Sequence, residues 1–445
     1  MKSRILTHVN FLFILSVLTI SCVEEDHKPA GYTEITKWQD GKLSAVSLTY
    51  DDGSINQFKV ALPIMNKLDI PATFFIVTGD IEGSQYHREF IGRPVEEIIR
   101  ETGETPTNTD NLFERASAIR VIGDSEIREY HTRAGELWES GKSEEAFKTI
   151  DEAYAIVRSN PKYPVKPGTP RRRQLSWDNL KEYAAQGHEF ASHTITHPRL
   201  SVLDEPNLVY ELDKSKEDIL NNLGPEHTFS VECPYGTENE RAVNYALERY
   251  PLTRNLMPEP FLEELNRGSR LQPGTFDKEY VQWQRGALSN TSLDKMRSWI
   301  DTCTAHSNIW LVLVFHGVDG IGWEAIPGDT LETYFKYIKS NEDQVWIATF
   351  KDVAKYMRER MSAEVTPSQE GGKITVTIRH NLDPELYDLP LTLKTYVPSG
   401  WESVEVKQDD KAWFTGTKND EEGRYVQYHA IPNAGQIELT RVDNE

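Results

Sequence analysis

Cysteine is scarce in this chain, with three in 445 residues, and none lies in a CxxC pair, so thiolate-rich metal clusters and CxxC redox chemistry are excluded. Positive charge is also short. Lys and Arg total 49 against 70 Asp and Glu, a net charge of −21. No contiguous basic block offsets that excess, which argues against nucleic acid as a partner. A neutral or cationic glycan, or a small ligand, fits the overall field better. Long apolar runs are absent too. The longest, Phe11 to Ile20, is too short for a stable membrane span. What is present is an apolar content of 38%, enough to bury a core and too much for a disordered chain. A chain of this length is expected to build two domains.

Lys2 and Arg4 precede the Phe11–Ile20 run, and Ser21 and Cys22 follow it at once. A basic start, a short apolar stretch and a small residue make a secretory signal over residues 1–21. The cysteine next to Ser21 resembles a lipobox, with Thr19 and Leu18 departing from its usual form. The expectation is an exported lipoprotein on the outer membrane or cell surface. Residues 22–40 would serve as lipid attachment and linker, with Glu24, Glu25 and Asp26 similar to the acidic tether of some surface lipoproteins. Cys233 and Cys303 either pair or stand as buried thiols.

Between residues 41 and 360, short apolar runs alternate with amphipathic helical stretches. Candidate strands are Ala45–Tyr50, Ala72–Val77, His188–Ser192, Thr228–Glu232, Pro251–Arg254, Val281–Arg285, Trp310–Phe315 and Val345–Thr349. Helix patterns cover Phe58–Leu68, Trp177–Ala185 (with Ser176 as N-cap) and Leu293–Thr302. This alternation predicts an α/β fold with a parallel sheet closed, or nearly closed, into a distorted barrel. Residues 82–173 break the rhythm. Two amphipathic helices within Ser125–Ser159 mark a helical insertion, and its departure from the C-terminal end of a strand places it near the barrel mouth. Beyond Met361 the helical period vanishes. Alternating strands at Lys373–Ile378, Leu391–Tyr396, Ser403–Lys407, Tyr425–His429 and Gln436–Thr440 predict a small all-β sandwich over residues 368–445. Trp401 and Trp413 are either glycan-stacking residues or core, and aromatic residues in small sandwiches are more often core.

Three pieces of this sequence carry chemistry. The first strand ends in Tyr50-Asp51-Asp52-Gly53, where adjacent carboxylates are costly unless something uses them. By itself such a turn also makes an ordinary surface loop. The third strand leads into His193-Thr194-Ile195-Thr196-His197-Pro198. Histidines at this spacing share one face of a helical turn and can reach one divalent ion. With one Asp they make a facial triad that leaves positions open for water and substrate. The seventh strand ends in Leu313-Val314-Phe315-His316, a histidine at the end of an apolar strand, where barrel chemistry sits. A core histidine would be the simpler reading of His316 in isolation.

Taken together, Thr49–Gly53, Gly187–His197 and Leu313–His316 resemble the motifs of NodB-type polysaccharide deacetylases, carbohydrate esterase family 4, over roughly residues 40–360. That resemblance implies Zn²⁺, or another divalent cation such as Co²⁺, Ni²⁺ or Mn²⁺, held by Asp52, His193 and His197. It implies Asp51 as general base, His316 as general acid, and Tyr235 in Cys233-Pro234-Tyr235-Gly236 as backbone donor to the oxyanion. The substrate would be an acetylated polysaccharide or oligosaccharide, bearing N-acetyl or O-acetyl groups. One departure stands out. Glu232 occupies the place where the family has an Arg that holds the catalytic Asp, and the supporting Asp–Trp pair is missing. The readings are replacement by Arg254 or Arg285 at a strand end, recruitment of Glu232 as a working group, or impaired activity. Replacement by an Arg ranks first. The rival for the whole chain is a surface glycan-binding lipoprotein on a degenerate barrel.

Overall fold

A computed structural model describes residues 27–164, 175–258, 263–265, 269–275 and 277–442. The expected signal sequence, Cys22 and the expected acidic tether lie outside the described residues. Among those described, no helix is long and apolar enough to cross a membrane.

The strands in chain order begin with β1 (Thr33–Ile35), β2 (Ser44–Asp52), β3 (Ala72–Ile76), β4 (Glu189–Ser192) and β5 (Ser230–Val231). They continue with β6 (Leu252–Thr253), β7 (Glu263–Leu265), β8 (Val281–Gly286), β9 (Ile309–Phe315) and β10 (Val345–Ile347). Strands β2 to β10 form one parallel sheet in the order β6-β5-β4-β3-β2-β9-β8-β7, with β10 paired to the N-terminal part of β2. This is the expected curled, incompletely closed barrel. Its strands read as near-continuous apolar runs because both faces are covered. All seven residues of β9 are buried, and eight of the nine in β2 are. The strand Glu263–Leu265 at the open edge escaped sequence reading, being three residues long with two half-buried glutamates.

The C-terminal unit pairs two antiparallel sheets. One has the order β11-β12-β18-β14-β15, built from β11 (Glu364–Glu370), β12 (Lys373–Arg379), β18 (Ile437–Arg441), β14 (Ser403–Gln408) and β15 (Lys411–Gly416). The other has the order β1-β13-β17-β16, with β13 (Leu391–Tyr396), β17 (Gly423–Ala430) and β16 (Lys418–Asp420). Alternation along β12 and β14 sends Ile374, Val376, Val404 and Val406 into a shared core with Leu391, Leu393, Val426 and Leu439. Trp401 is buried there and Trp413 packs against the same core, so packing is the role of both. A correction concerns the N-terminal segment read as linker. Thr33–Ile35 is an edge strand of this sandwich, in register with Leu393–Thr395. Three residues with a single buried side chain leave no periodicity to detect. The last barrel helix, Phe350–Ser362, ties the two units together through Tyr356, whose hydroxyl donates to the Thr36 carbonyl at 2.9 Å.

The insertion after β3 builds its own core from helices Val95–Glu101, Leu112–Ile122, Ser125–Glu139 and Ser143–Ser159. The last two are the pair expected from sequence. Helix Leu112–Ile122 is buried around most of its circumference, including Arg115 and Ser117, so it carries no amphipathic stripe to read. Cys233 and Cys303 are both buried and unpaired.

Candidate active site

Strand ends bring the chemical residues to one mouth of the barrel. β2 and β9 are neighbours in register, with Tyr50 opposite Phe315, so Asp51 and His316 leave adjacent strands at nearly the same level. Asp51 Oδ2 lies 3.4 Å from His316 Nε2. Asp52 has a left-handed φ of 73°, followed by Gly53 at 71°. That turn sends its carboxylate away from Asp51, towards the loop after β4.

The loop after β4 holds the two histidines differently from expectation. Residues 193–199 are not a helical turn. Thr194 and His197 both take positive φ, 67° and 57°, and the left-handed bends fold the two rings onto each other at 4.7 Å. Pro198 cannot donate to a helical ladder, and Glu211 supplies an alternative set of partners. Its Oε2 accepts the Ile195 and Thr196 N–H groups at 2.8 and 2.9 Å, and its Oε1 accepts the Thr196 hydroxyl at 2.5 Å. His193 Nδ1 is 2.8 Å from the Glu232 carbonyl, which fixes it as the protonated nitrogen and leaves Nε2 free to ligate. His193 and His197 place Nε2 3.7 and 3.4 Å from Asp52 Oδ1. One ligand atom from each of Asp52, His193 and His197 lies within 4.8 Å of the others, a grouping able to hold a metal ion. The donor set of two imidazoles and one carboxylate suits zinc or a similar divalent ion.

Electrostatics divide the adjacent carboxylates. Burial opposes ionisation of Asp51, but Arg254, followed by His316, holds its carboxyl well below the usual range. Burial raises Asp52 to about 7, with the Asp51 charge adding to the effect. Burial lowers His193 to about 4, and burial followed by His193 lowers His197 well below its ordinary value. Both imidazoles are therefore neutral, as ligation requires.

Arg254 is the guanidinium that holds Asp51. It donates from both terminal nitrogens, at 2.6 and 2.7 Å, in a fork on the two carboxylate oxygens. It lies at the end of β6, and Glu232 sits on its other flank at 3.1 Å. Asn255 in turn donates to Glu232 at 2.6 Å. Glu232 is thus a second acceptor for the arginine, one step removed from Asp51. Arg285 is elsewhere, stacked 4.5 Å over the Trp283 ring.

Tyr235 and Trp323 flank the mouth, 42% and 53% exposed. The Tyr235 ring lies 4.7 Å from His197, and Trp323 stands edge-on to His316 at 4.7 Å. Trp323 is placed by a loop that folds back on Gly317, whose N–H donates to the Trp323 carbonyl at 2.8 Å. A Cβ at Gly317 would meet Gly322 and the Ile321 and Trp323 carbonyls at 2.8 Å, so glycine is required for that close approach. The cavity between these rings has a volume of about 420 Å³ and is lined by Asp51, Asp52, His193, His197, Arg199, Tyr235, Gly236, His316 and Trp323.

Residues 39–109 and 143–253 match the polysaccharide deacetylase family model. The matched segments hold fewer than half of the chain's residues, but they include Asp51, Asp52, both histidines, Glu232, Tyr235 and Thr253. The gap at 110–142 falls inside the helical insertion. A gellan lyase from a Bacillus species is 24% identical over 276 residues, which cover 58% of this chain and 11% of that protein. The chain therefore spans about a tenth of that relative's length. Among solved structures, a family 4 carbohydrate esterase from Bacillus anthracis is 15% identical, with 72% of this chain and 86% of that one covered and a TM-score of 0.30. Bacillus subtilis PdaA, also a family 4 carbohydrate esterase, is 11% identical with 74% and 85% covered and a TM-score of 0.31. At such scores the architecture rests on the strand order itself.

All six expected site residues line one cavity. Sequence reading missed Glu211, Arg199 and Trp323. Glu211 had a signal, since it shares the core face of helix Glu205–Leu223 with Leu208, Leu212 and Ile219. A carboxylate on an apolar stripe needs a partner.

Proposed function

We propose that this deacetylase-type barrel is a hydrolase that removes acetyl groups from a glycan with the help of a divalent cation. The observation that carries the proposal is the grouping of Asp52 with two neutral imidazoles, His193 and His197, beside an Asp51 kept ionised by Arg254. A divalent ion bound by Asp52, His193 and His197 would supply Lewis acidity for an acyl carbonyl and make water a nucleophile near neutral pH. Asp51 is the general base. Its fork on Arg254 keeps it unprotonated and fixes the direction of its free lone pairs. His316, within reach of Asp51, is the general acid that protonates the departing amine or alcohol. Tyr235 contributes its backbone N–H to the oxyanion. Its ring and Trp323 form apolar walls against which a sugar can stack.

Glu232 is compatible with this chemistry because Arg254 stands between it and Asp51. The replacement also removes the sequence reason for reading the barrel as degenerate. We extend the proposal to an exported lipoprotein attached through Cys22, to be checked by loss of lipid labelling in Cys22→Ser. Acetate release from acetylated glycans and chito-oligosaccharides, with added Zn²⁺ or Co²⁺ and a chelated control, tests the activity. Release that depends on metal is expected. Release unaffected by complete chelation contradicts the mechanism.

A further inference from the structure

The backbone of Tyr235 is left-handed, with φ 64° and ψ 10°. A bulky aromatic residue keeps that conformation only where its surroundings impose it. Much of what surrounds this turn comes from the helical insertion. Helix Ser125–Glu139 meets the turn at both ends. Thr132 Oγ1 lies 3.2 Å from the Tyr235 hydroxyl. Two residues further along the chain, the buried Thr237 donates its hydroxyl to Glu139 Oε1 at 2.7 Å. The other oxygen, Oε2, accepts from Arg199 Nη1 at 2.5 Å. Arg199 lines the cavity, and its guanidinium lies 4.8 Å over the Tyr235 ring. One carboxylate of the insertion therefore ties the end of the turn to the cation that covers its ring.

Arg199 is fitted to the same helix. Its backbone N–H donates to His131 Nε2 at 3.0 Å, and His131 Nδ1 lies 3.0 Å from the Ala116 carbonyl. The second contact makes Nδ1 the protonated nitrogen and leaves Nε2 as an acceptor. A Cβ on Gly135 would meet Arg199 Cδ at 2.3 Å and Cγ at 2.8 Å. Glycine is costly inside a helix, and the close passage of the arginine requires it here. His131, Thr132, Gly135 and Glu139 all fall in the 110–142 gap of the family match, whereas Arg199, Tyr235 and Thr237 lie within the matched residues. The support is thus an addition of this chain's insertion to the barrel.

We propose that the insertion is a working part of the active site. Glu139 is a positioning residue that acts through Thr237 and Arg199 and holds the 233–237 turn so that the Tyr235 N–H meets the developing oxyanion. This rests on the deacetylase reading for the reaction. A preorganised backbone donor stabilises a tetrahedral intermediate only when it is aimed at the oxyanion, and a misplacement of about 1 Å costs on the order of 10²-fold in rate.

The test compares wild type, E139A, E139Q, T237V and T237S as full chains saturated with Zn²⁺. The substrates are chito-oligosaccharides and acetylated xylan, and kinetics follow whichever of them wild type turns over. E139A and T237V are expected to lose about 10–100-fold in kcat, with KM and Zn²⁺ affinity little changed and the same pH profile at a lower plateau. T237S keeps the hydroxyl and is expected to restore most of the loss. Should E139A not fold, E139Q and T237V carry the same comparison. Hydrogen exchange of the peptide spanning 233–237 is expected to rise in E139A while β2 stays protected. If wild type releases no acetate from any glycan, the deacetylase reading fails, and exchange alone decides whether Glu139 holds the turn. Unchanged kcat in E139A and T237V, a loss traced entirely to weaker Zn²⁺ binding, or unaltered exchange of the 233–237 peptide overturns the proposal.

Discussion

The two sides of the cavity solve the problem of buried charge in opposite ways. On one side Asp51 is saturated. It has a bidentate arginine, and that arginine has Glu232 behind it. On the other side Asp52 faces two neutral imidazoles and is raised to about 7 by burial and then by Asp51, with Arg254 pulling the other way. Among the described residues, its negative charge has no arginine or lysine paired directly with it. Adjacent residues of one strand thus differ because their partners differ. The saturated carboxylate is positioned to take a proton. The unanswered one is positioned to take a cation.

Breaking the saturated side should have the largest effect on stability. Arg254→Ala leaves Asp51 and Glu232 buried without their shared cation, a loss of about 3–5 kcal/mol by analogy with other broken buried pairs. Denaturant unfolding measures it, and a loss below about 1 kcal/mol would mean that the fork is not structural. Arg254→Lys keeps a charge but not the fork, and should retain the fold while lowering turnover.

The histidine side is held by Glu211. Glu211→Ala orphans two backbone N–H groups and the Thr196 hydroxyl, and metal affinity should fall by about 10–100-fold as the histidine loop loosens. Unchanged affinity by calorimetry would show that left-handed φ at Thr194 and His197 needs no such support. A subtler probe is pH. Asp52 must lose its proton to ligate, so metal affinity should decline as pH falls through about 7. Asp51→Asn removes the charge that helps to raise Asp52, and the decline should move to lower pH. A shift to higher pH contradicts the electrostatic account. The smallest effect is expected at Tyr235→Phe, which loses a hydroxyl contact to Thr132 and leaves the backbone N–H in place. Turnover should change by about tenfold at most.

The barrel was legible in sequence because its strands are long apolar runs separated by capped helices. All eight candidate strands are present, including the two-residue β5 and β6. The edge strands β1, β7 and β16 were not, since three residues carry no period. The longer sandwich edges β11 and β15 were also missed, because most of their residues are exposed and show no buried alternation. The site's residue types were legible from their positions at strand ends. Their geometry was not. The histidine loop is bent by positive φ and a carboxylate sixteen residues downstream of Ile195, neither of which a four-residue spacing reveals. Arg254 could be named among two candidates from its strand-end position, but only the fold places β6 where its side chain reaches Asp51.

Parallel measurement of Zn²⁺ binding and acetate release in wild type, Asp51→Asn and Asp52→Ala tests the division of the two carboxylates most directly. The account predicts that Asp51→Asn binds the metal and loses turnover by about 10²-fold or more, while Asp52→Ala loses both. Full turnover in Asp51→Asn, or metal-independent turnover in Asp52→Ala, would contradict it.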